Sequence, residues 1–466
     1  MSDLPQSHAL VPTGNGYPAP LPTPITLGGV NEPIPLYSGA IDFTQDNTTF
    51  RAHTNIRLEW LPTPRIRFIV PEVPAEVTPN LGSVALRLDD GTAIERASIN
   101  GLNHSSHPDG YKAGLSGLIR GQVIRQTDPA VAHVLFLLPN FEAPVGKAVE
   151  LPMNGWRAAR LSLIGAGWKI TLDDVEQLKD VAAVLQRSSG YAITQIGRLE
   201  REDGKPFSAE EATAILDALG WYTSFACGRW TAPYLPHGYD ATGNQVWQIW
   251  DTRRVVPYRV RVSWLDSCHC EHFETPFPRF LALWQNDAWE EVVRLAIHWY
   301  VEANAQAGSI EGAIVLTQTA FEMLSSFILV EQECWLAAEP CEKLPAADRI
   351  RLLLRWAGIP TDVPADLIAL VKLAKSYEEF MLNKRPDTAS AMTTIRNTIT
   401  HPTRKNREKF GKHSGEARRD AWTLGLWALE LCLLRLFNYN GTYACRIRQR
   451  WVGEVEQVPW VPQNQS

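Results

Sequence analysis

The chain has 466 residues, 45% of them hydrophobic and 21% charged, with a formal net charge of −6. That length and balance describe a globular protein of two or three domains, and exclude a disordered or fibrous chain. The negative total also excludes a protein that coats nucleic acid over its whole surface, so any RNA contact has to come from a local basic patch.

No apolar run reaches about 18 residues, so no transmembrane helix is expected and no membrane partner is assigned. The start, Met1-Ser2-Asp3-Leu4-Pro5, lacks the basic-then-apolar pattern of a signal peptide. The seven cysteines are an odd number spread over a long chain, which argues against a disulfide framework and for a reducing compartment. The expected location is cytoplasmic.

Residues 1–35 are rich in Pro and Gly and read as an N-terminal tail. From 36 to 280 the pattern is β-rich. Residues 54–60 and 65–70 alternate in polarity, 83–88 run into the turn signal Asp89-Asp90-Gly91, and 134–138 form a short apolar run suited to a buried strand. Two helices are expected inside this region. One spans 172–186 and starts at Thr171; the other spans 210–219 and starts at Ser208, with Glu211 three residues on as a capping box. Residues 245–250 and 258–264 read as the last strands.

After about residue 280 the hydrophobic period becomes helical. Six helices are predicted, at 286–304, 310–336, 346–357, 365–380, 389–400 and 416–437, with breaks at Gly308, Pro340, Pro345, Gly358, Pro360, Pro386 and Pro402. The expected fold class is therefore α+β: a β-rich N-terminal region followed by a C-terminal all-α bundle over 281–445, with a tail over 446–466.

The segment that carries chemistry is Arg396-Asn397-Thr398-Ile399-Thr400-His401-Pro402. Arg396 and His401 are five residues apart, which places them about 140° apart on a straight helix, whereas Asn397 and His401 share a face. Pro402 disfavours helical geometry at His401, so the helix should end there and free both side chains to converge. A guanidinium offers a fork of donors for phosphate oxygens, and an imidazole exchanges a proton near neutral pH. Together they are a minimal kit for RNA cleavage without a metal, with Asn397 positioned to orient either group. Glu322 sits mid-helix among Phe321, Met323 and Leu324, and a carboxylate there needs a partner if buried, for which Arg396 is a candidate. The competing reading of the motif is a plain helix end, with Arg396 in an ion pair and His401 capping a carbonyl.

An Arg-Asn-x-x-x-His segment in a helical bundle resembles the signature of HEPN domains. The helix around Leu316-Thr317-Gln318-Thr319-Ala320-Phe321-Glu322-Met323-Leu324 is similar to the one that carries an acidic residue in the ApeA-like HEPN group, as is the layout of a β-rich region before the bundle. The resemblance implies a bacterial anti-phage or toxin-like ribonuclease. It would act on RNA as a homodimer through the helical domain, with no cofactor and no metal. It makes Arg396, His401, Asn397 and Glu322 the catalytic set. Its alternative is a non-catalytic module that binds RNA, nucleotides or a partner chain.

From Thr403 to Arg419 there are seven bases against two acids. Read as a basic loop, this stretch offers Arg404, Lys405, Arg407, Lys409 and Lys412 to an RNA backbone; the competing reading is a solvated connector between two helices. Other constellations carry less. Cys268, Cys270 and His272 would share one face of a strand, but zinc usually takes two spaced pairs and no second pair stands nearby. His104 and His107 lie in a polar turn-like stretch. His298 beside Trp299 reads as packing, Gly165-Ala166-Gly167 matches no phosphate-binding loop, and Gly114-Leu115-Ser116-Gly117-Leu118 misses the nucleophile-elbow spacing.

Overall fold

Alternating apolar residues curl the first six strands into a closed barrel. A computed structural model describes residues 16–46, 48–74, 77–107, 110–127, 130–151, 155–306, 308–401 and 403–462. The barrel strands are β1 (Ile34–Gln45), β2 (Thr48–Glu59), β3 (Arg65–Val70), β4 (Gly82–Arg87), β5 (Ala93–His107) and β6 (Gly110–Ile119). Their order is β1-β2-β3-β6-β5-β4, closed by pairing of β1 with β4. Ile41, Phe43, Ile56, Leu58, Ile66 and Phe68 point inward on the two-residue period of the strands and are fully buried. Gly117 is required where β6 crosses Phe68, because a side chain there would strike that ring and the Ser98 carbonyl.

Most of the following strands build an antiparallel sheet, β7 (Val123–Gln126), β9 (His133–Pro139), β10 (Lys147–Leu151), β11 (Gly155–Gly165), β12 (Trp168–Asp174), β13 (Ile193–Arg201), β15 (Tyr234–Tyr239) and β16 (Gln245–Trp250). The order is β10-β11-β12-β13-β9-β15-β16-β7. Two short strands, β8 (Ala130–Val131) and β14 (Phe207–Ser208), pair beside it. Every residue of β9 is buried. Val134, Phe136 and Leu138 face the helices, while Leu137 faces the barrel, so the apolar run predicted as a buried strand lies between two cores. The molecule is thus mixed α+β, layered as barrel, sheet and helices.

The helices are α1 (Leu178–Ser188), α2 (Ala209–Cys227), α3 (Cys270–Glu274), α4 (Phe277–Trp284), α5 (Glu290–Asn304), α6 (Ser309–Ser326), α7 (Ala338–Lys343), α8 (Ala346–Ala357), α9 (Ile368–Ala374), α10 (Thr388–Thr400), α11 (Arg404–Lys412) and α12 (Gly415–Leu436). The capping box of Ser208 and Glu211 is formed at the start of α2. A π turn over Phe327–Gln332 extends α6. The stretch Ser309–Gln332 is long and apolar enough to cross a membrane by length and composition, yet 61% of its apolar window is buried inside the fold. It also holds Glu322, bonded by Gln318 of the same helix, against arginines of two other helices.

Several expectations need correction. The helix predicted at 172–186 starts only at Leu178. Thr171 is no cap but lies in β12, whose Trp168, Ile170 and Leu172 alternate into the core. Residues 258–264 have no strand partner, because β7 already holds the free edge beside β16; single bonds such as Tyr258 N–H to Gly190 O dock them instead. The stretch around His104 and His107 continues β5 rather than forming a loop; those two side chains lie outside the described ones. The helix predicted at 365–380 shrinks to α9 plus a 3-10 turn at Glu378–Phe380, where Tyr377 turns extended and Phe380 is buried.

Residues 1–15 of the predicted tail lie outside the described residues, but 16–33 are docked: Leu21 N–H donates to Asp173 at 2.8 Å and Arg160 donates to the Ala19 carbonyl at 2.7 Å. The C-terminal tail also packs, with Val458 buried and the Trp460 indole donating to Tyr439 O at 2.9 Å. One hydrophobic cluster runs from the sheet through α2 and α4 into the bundle, so no gap between cores falls at residue 280.

Candidate functional site

Helix α10 carries the motif, and its position is set at both ends. At its start the Asp387 side chain accepts from Ser390 N–H at 2.8 Å, and Arg351 of α8 clamps the same carboxylate through Nε (3.2 Å) and Nη2 (2.8 Å). Burial pulls the Asp387 carboxyl up, but Arg351 and Ser390 together hold it below its ordinary range. Along the helix Met392, Ile395 and Thr398 are buried, which leaves Arg396 and Asn397 on a half-buried flank.

On that flank the expected partner is present. Arg396 Nη2 lies 3.4 Å from Glu322 Oε1 on α6, and Arg396 Nη1 donates to Asn397 Oδ1 at 3.1 Å. Gln318, one turn before Glu322, donates to Glu322 Oε1 at 3.0 Å. Arg349 of α8 reaches the other oxygen, Glu322 Oε2, at 4.0 Å. Helices α6, α8 and α10 thus meet around one carboxylate shared by two guanidiniums. Gln318 and Arg349 were not found in the sequence, because a Gln inside an apolar helix and an Arg in the first turn of α8 carry no spacing signal.

His401 ends the helix with φ −111° and ψ 86°. Its backbone N–H donates to Asn397 O at 3.1 Å, and its carbonyl accepts from Thr403 N–H at 2.7 Å and from the Asn406 side chain at 2.8 Å. Asn406 also donates to Asn397 O at 3.3 Å, so it caps the end of α10 from the next helix. The imidazole of His401 is exposed and makes no hydrogen bond or ion pair among the described residues. Arg396 and His401 do not bond to each other: one faces α6 and the other faces solvent. Pro402, on which the expected helix break rested, lies outside the described residues, though the helix does end at Thr400.

The basic stretch is not a connector but helix α11, capped by Thr403, whose side chain accepts from Asn406 N–H at 3.2 Å. Arg404, Lys405, Arg407 and Lys412 are exposed on it. Arg404 pairs with Glu408 at 3.0 Å along the same helix, and Lys409 is half-buried against Glu379 at 2.6 Å. Lys409 is therefore turned inward and largely neutralised, whereas the other four bases stay exposed.

Two further places hold functional atom types. His269, Glu271 and His272 have ligand atoms within 4.8 Å of one another. Cys270 and His272 stand on α3 rather than on a strand, so the shared face expected for Cys268, Cys270 and His272 is not formed. The rings of His269 and His272 stack at 4.9 Å, and their nitrogens are engaged: His269 by Glu271 and Gly453 O, His272 by Asp266 N–H and Thr442. Burial, and then the neighbouring His269, pull the His272 pKa down to about 4. Between α2 and α5 a cleft of about 280 Å³ is lined by Trp221, Trp230, Arg253, Arg254 and His298. Both arginines there are already paired with acids, Arg253 with Asp217 and Asp251 and Arg254 with Glu302. By contrast, at the junction of α6, α8 and α10 two guanidiniums share one carboxylate, and the exposed imidazole of His401 follows five residues after Arg396.

The helical half and the central sheet both match family models. Residues 286–457 match that of the YopA C-terminal domain and residues 126–261 that of the YopA central domain. Over 450 residues the chain is 24% identical to the SPbeta prophage-derived uncharacterized protein YopA of Bacillus subtilis (strain 168), covering 92% of this chain and 96% of that protein. No solved structure matches.

Proposed function

We propose that the protein is a metal-independent endoribonuclease of HEPN type, built on the C-terminal helical bundle and acting in the cytoplasm as a homodimer. The observation that carries this reading is the end of α10, where an exposed imidazole with no partner among the described residues follows a guanidinium anchored by a carboxylate on a neighbouring helix. His401 would take the proton from a ribose 2′-hydroxyl or give one to the leaving oxygen. Arg396, held by Glu322, would balance charge developing on the phosphate, and Asn397 would keep that guanidinium in place. The donors gathered here are guanidinium, imidazole and amide, with the one carboxylate already engaged by cations, which suits charge stabilisation more than metal ligation. Helix α11 follows within three residues and would guide the RNA backbone through Arg404, Lys405, Arg407 and Lys412. Because Arg396 and His401 do not meet in one chain, a second copy would complete the cleft. The prophage origin of the relative fits a toxin or phage-defence role, and the seven free cysteines fit a reducing compartment.

A second reading, a module that binds RNA without cutting it, is favoured by the inward pairing of Arg396 with Glu322. Incubating the purified full chain with total RNA in EDTA, beside Arg396→Ala and His401→Ala, separates the two. Cleavage by wild type alone is expected. Equal cleavage by all three proteins would remove this site from the reaction, and binding without cleavage would favour the module.

A further inference from the structure

We infer that Arg349 on α8 is a second phosphate-holding residue of this site, so that a phosphodiester of RNA is gripped by guanidiniums from two helices. The inference rests on the ribonuclease reading and adds to it a residue outside the motif.

The argument begins with how the three arginines of α8 that face other elements are used. Arg351 is bound through both arms to Asp387, and Arg355 donates to Thr361 at 3.2 Å. These two have settled structural partners. Arg349 makes no hydrogen bond among the described residues, and its ion pair with Glu322 is a loose 4.0 Å. A fork of five donors at that position is underused.

Charge points the same way. Glu322 is one anion facing two cations, Arg349 and Arg396, and its Oε1 is already occupied by Gln318 and Arg396. One positive charge is left over at the junction. The Nε atoms of both arginines and Oε1 of Gln318, itself 1% exposed, are buried without hydrogen-bond partners among the described residues. The carboxylate therefore does not saturate the cluster. The outer ends remain reachable, with the Arg349 side chain 17% and the Arg396 side chain 24% exposed. A doubly coordinated, singly charged oxyanion suits such a pair, since a guanidinium presents two parallel N–H bonds to phosphate oxygens. Helix α11, joined to the end of α10 through Asn406, carries further exposed bases for a strand rather than a free ion.

The test measures binding without cleavage. A fluorescent single-stranded RNA, 2′-O-methylated throughout so that it cannot be cut by its own hydroxyl, is titrated with the full chain at several salt concentrations. Wild type is compared with Arg349→Met, Arg349→Lys and, as a control for general surface charge, Lys343→Met. Arg349→Met is expected to bind about tenfold more weakly, with the slope of log affinity against log salt smaller by about 0.7, the value for one phosphate contact on a single strand. Arg349→Lys keeps the slope but not the full affinity, because a point charge replaces a fork. Lys343→Met binds as wild type. A folded Arg349→Met protein with wild-type affinity and slope overturns the inference, as does a wild type that does not bind this RNA. Should Arg349→Met fail to fold, Arg349→Lys decides alone: unchanged affinity overturns the proposal. A His401-dependent cut of unmodified RNA with Arg349 irrelevant to binding leaves the ribonuclease reading standing without this inference. Arg349-dependent binding with no cut leaves the reverse.

Discussion

Glu322 and Arg396 face each other across the contact between α6 and α10, with 3.4 Å between Oε1 and Nη2. The two are 74 positions apart in the chain, and neither is fully buried, at 29% and 24% side-chain exposure. A pair of this kind is partly screened, so its coupling is modest. A double-mutant cycle of Glu322→Gln and Arg396→Ala, read by urea unfolding, is expected to give a coupling of about 1 kcal/mol. A coupling indistinguishable from zero would mean that Glu322 does not hold Arg396 in place, and its assigned role would be lost.

His401 is predicted to be dispensable for folding and needed for chemistry. Its imidazole touches no partner among the described residues, so His401→Ala should change unfolding free energy by less than about 0.5 kcal/mol. Cleavage of RNA by the same protein should fall by about a hundredfold or more, the usual loss on removing a general acid or base. A stable variant that cuts at the wild-type rate would show that the proton is moved by another group.

How much of this was legible in the sequence depends on what each residue does. Glu322 could be named as a partner for Arg396 because a charge inside an apolar helix demands one. The capping box at Ser208 was legible because its two residues bond to each other locally. Helix α11 was missed because it buries no residue at all, and periodicity registers only faces that meet a core. The segment 258–264 was misread for the opposite reason: it alternates as a strand does, but pairing is a property of the sheet edge and not of the segment. Arg349 was invisible because its importance comes from packing against a helix that the sequence does not bring together with it, and Asn406 was missed along with the helix that carries it.

Acidification should destabilise the fold through two buried histidines. His237 is 1% exposed, with Nδ1 2.7 Å from Leu235 O and Nε2 2.9 Å from the Gln248 amide, which suits a neutral ring. Burial pulls its pKa down to about 4, and burial followed by His269 does the same to His272. The unfolded chain takes up a proton near pH 6.5 and the folded one does not, so stability is full above that pH and falls as pH drops from about 6.5 towards 4. The loss is on the order of 2 kcal/mol for each histidine. Asp174 opposes it, since burial raises its carboxyl to about 6 and the folded state then binds the proton first. Urea unfolding across this range should slope downward towards acid, and His237→Gln should flatten the slope. An unchanged slope in that variant would show that His237 titrates normally in the folded protein.

The last prediction concerns the C-terminal segment, which the sequence presented as a tail from residue 446. Arg446 is instead driven into the bundle, with its side chain 4% exposed against Glu430 at 0% on α12. Its Nε donates to Glu430 Oε2 at 2.8 Å, Nη1 donates to Asn304 at 3.2 Å, and Tyr300 donates to Glu430 Oε1 at 2.6 Å. Removing one partner strands the other as a buried charge, which costs about 3–5 kcal/mol. Arg446→Ala should therefore destabilise by that amount in urea, while Trp451→Ala, at an 83% exposed position five residues on, should change little. Replacing both charges at once, Arg446→Met with Glu430→Leu, should recover most of the loss, because no ion is then left without its partner. If the double variant is as unstable as Arg446→Ala, the pair acts through the shape and hydrogen bonds it lends to Tyr300 and Asn304 and not through charge compensation.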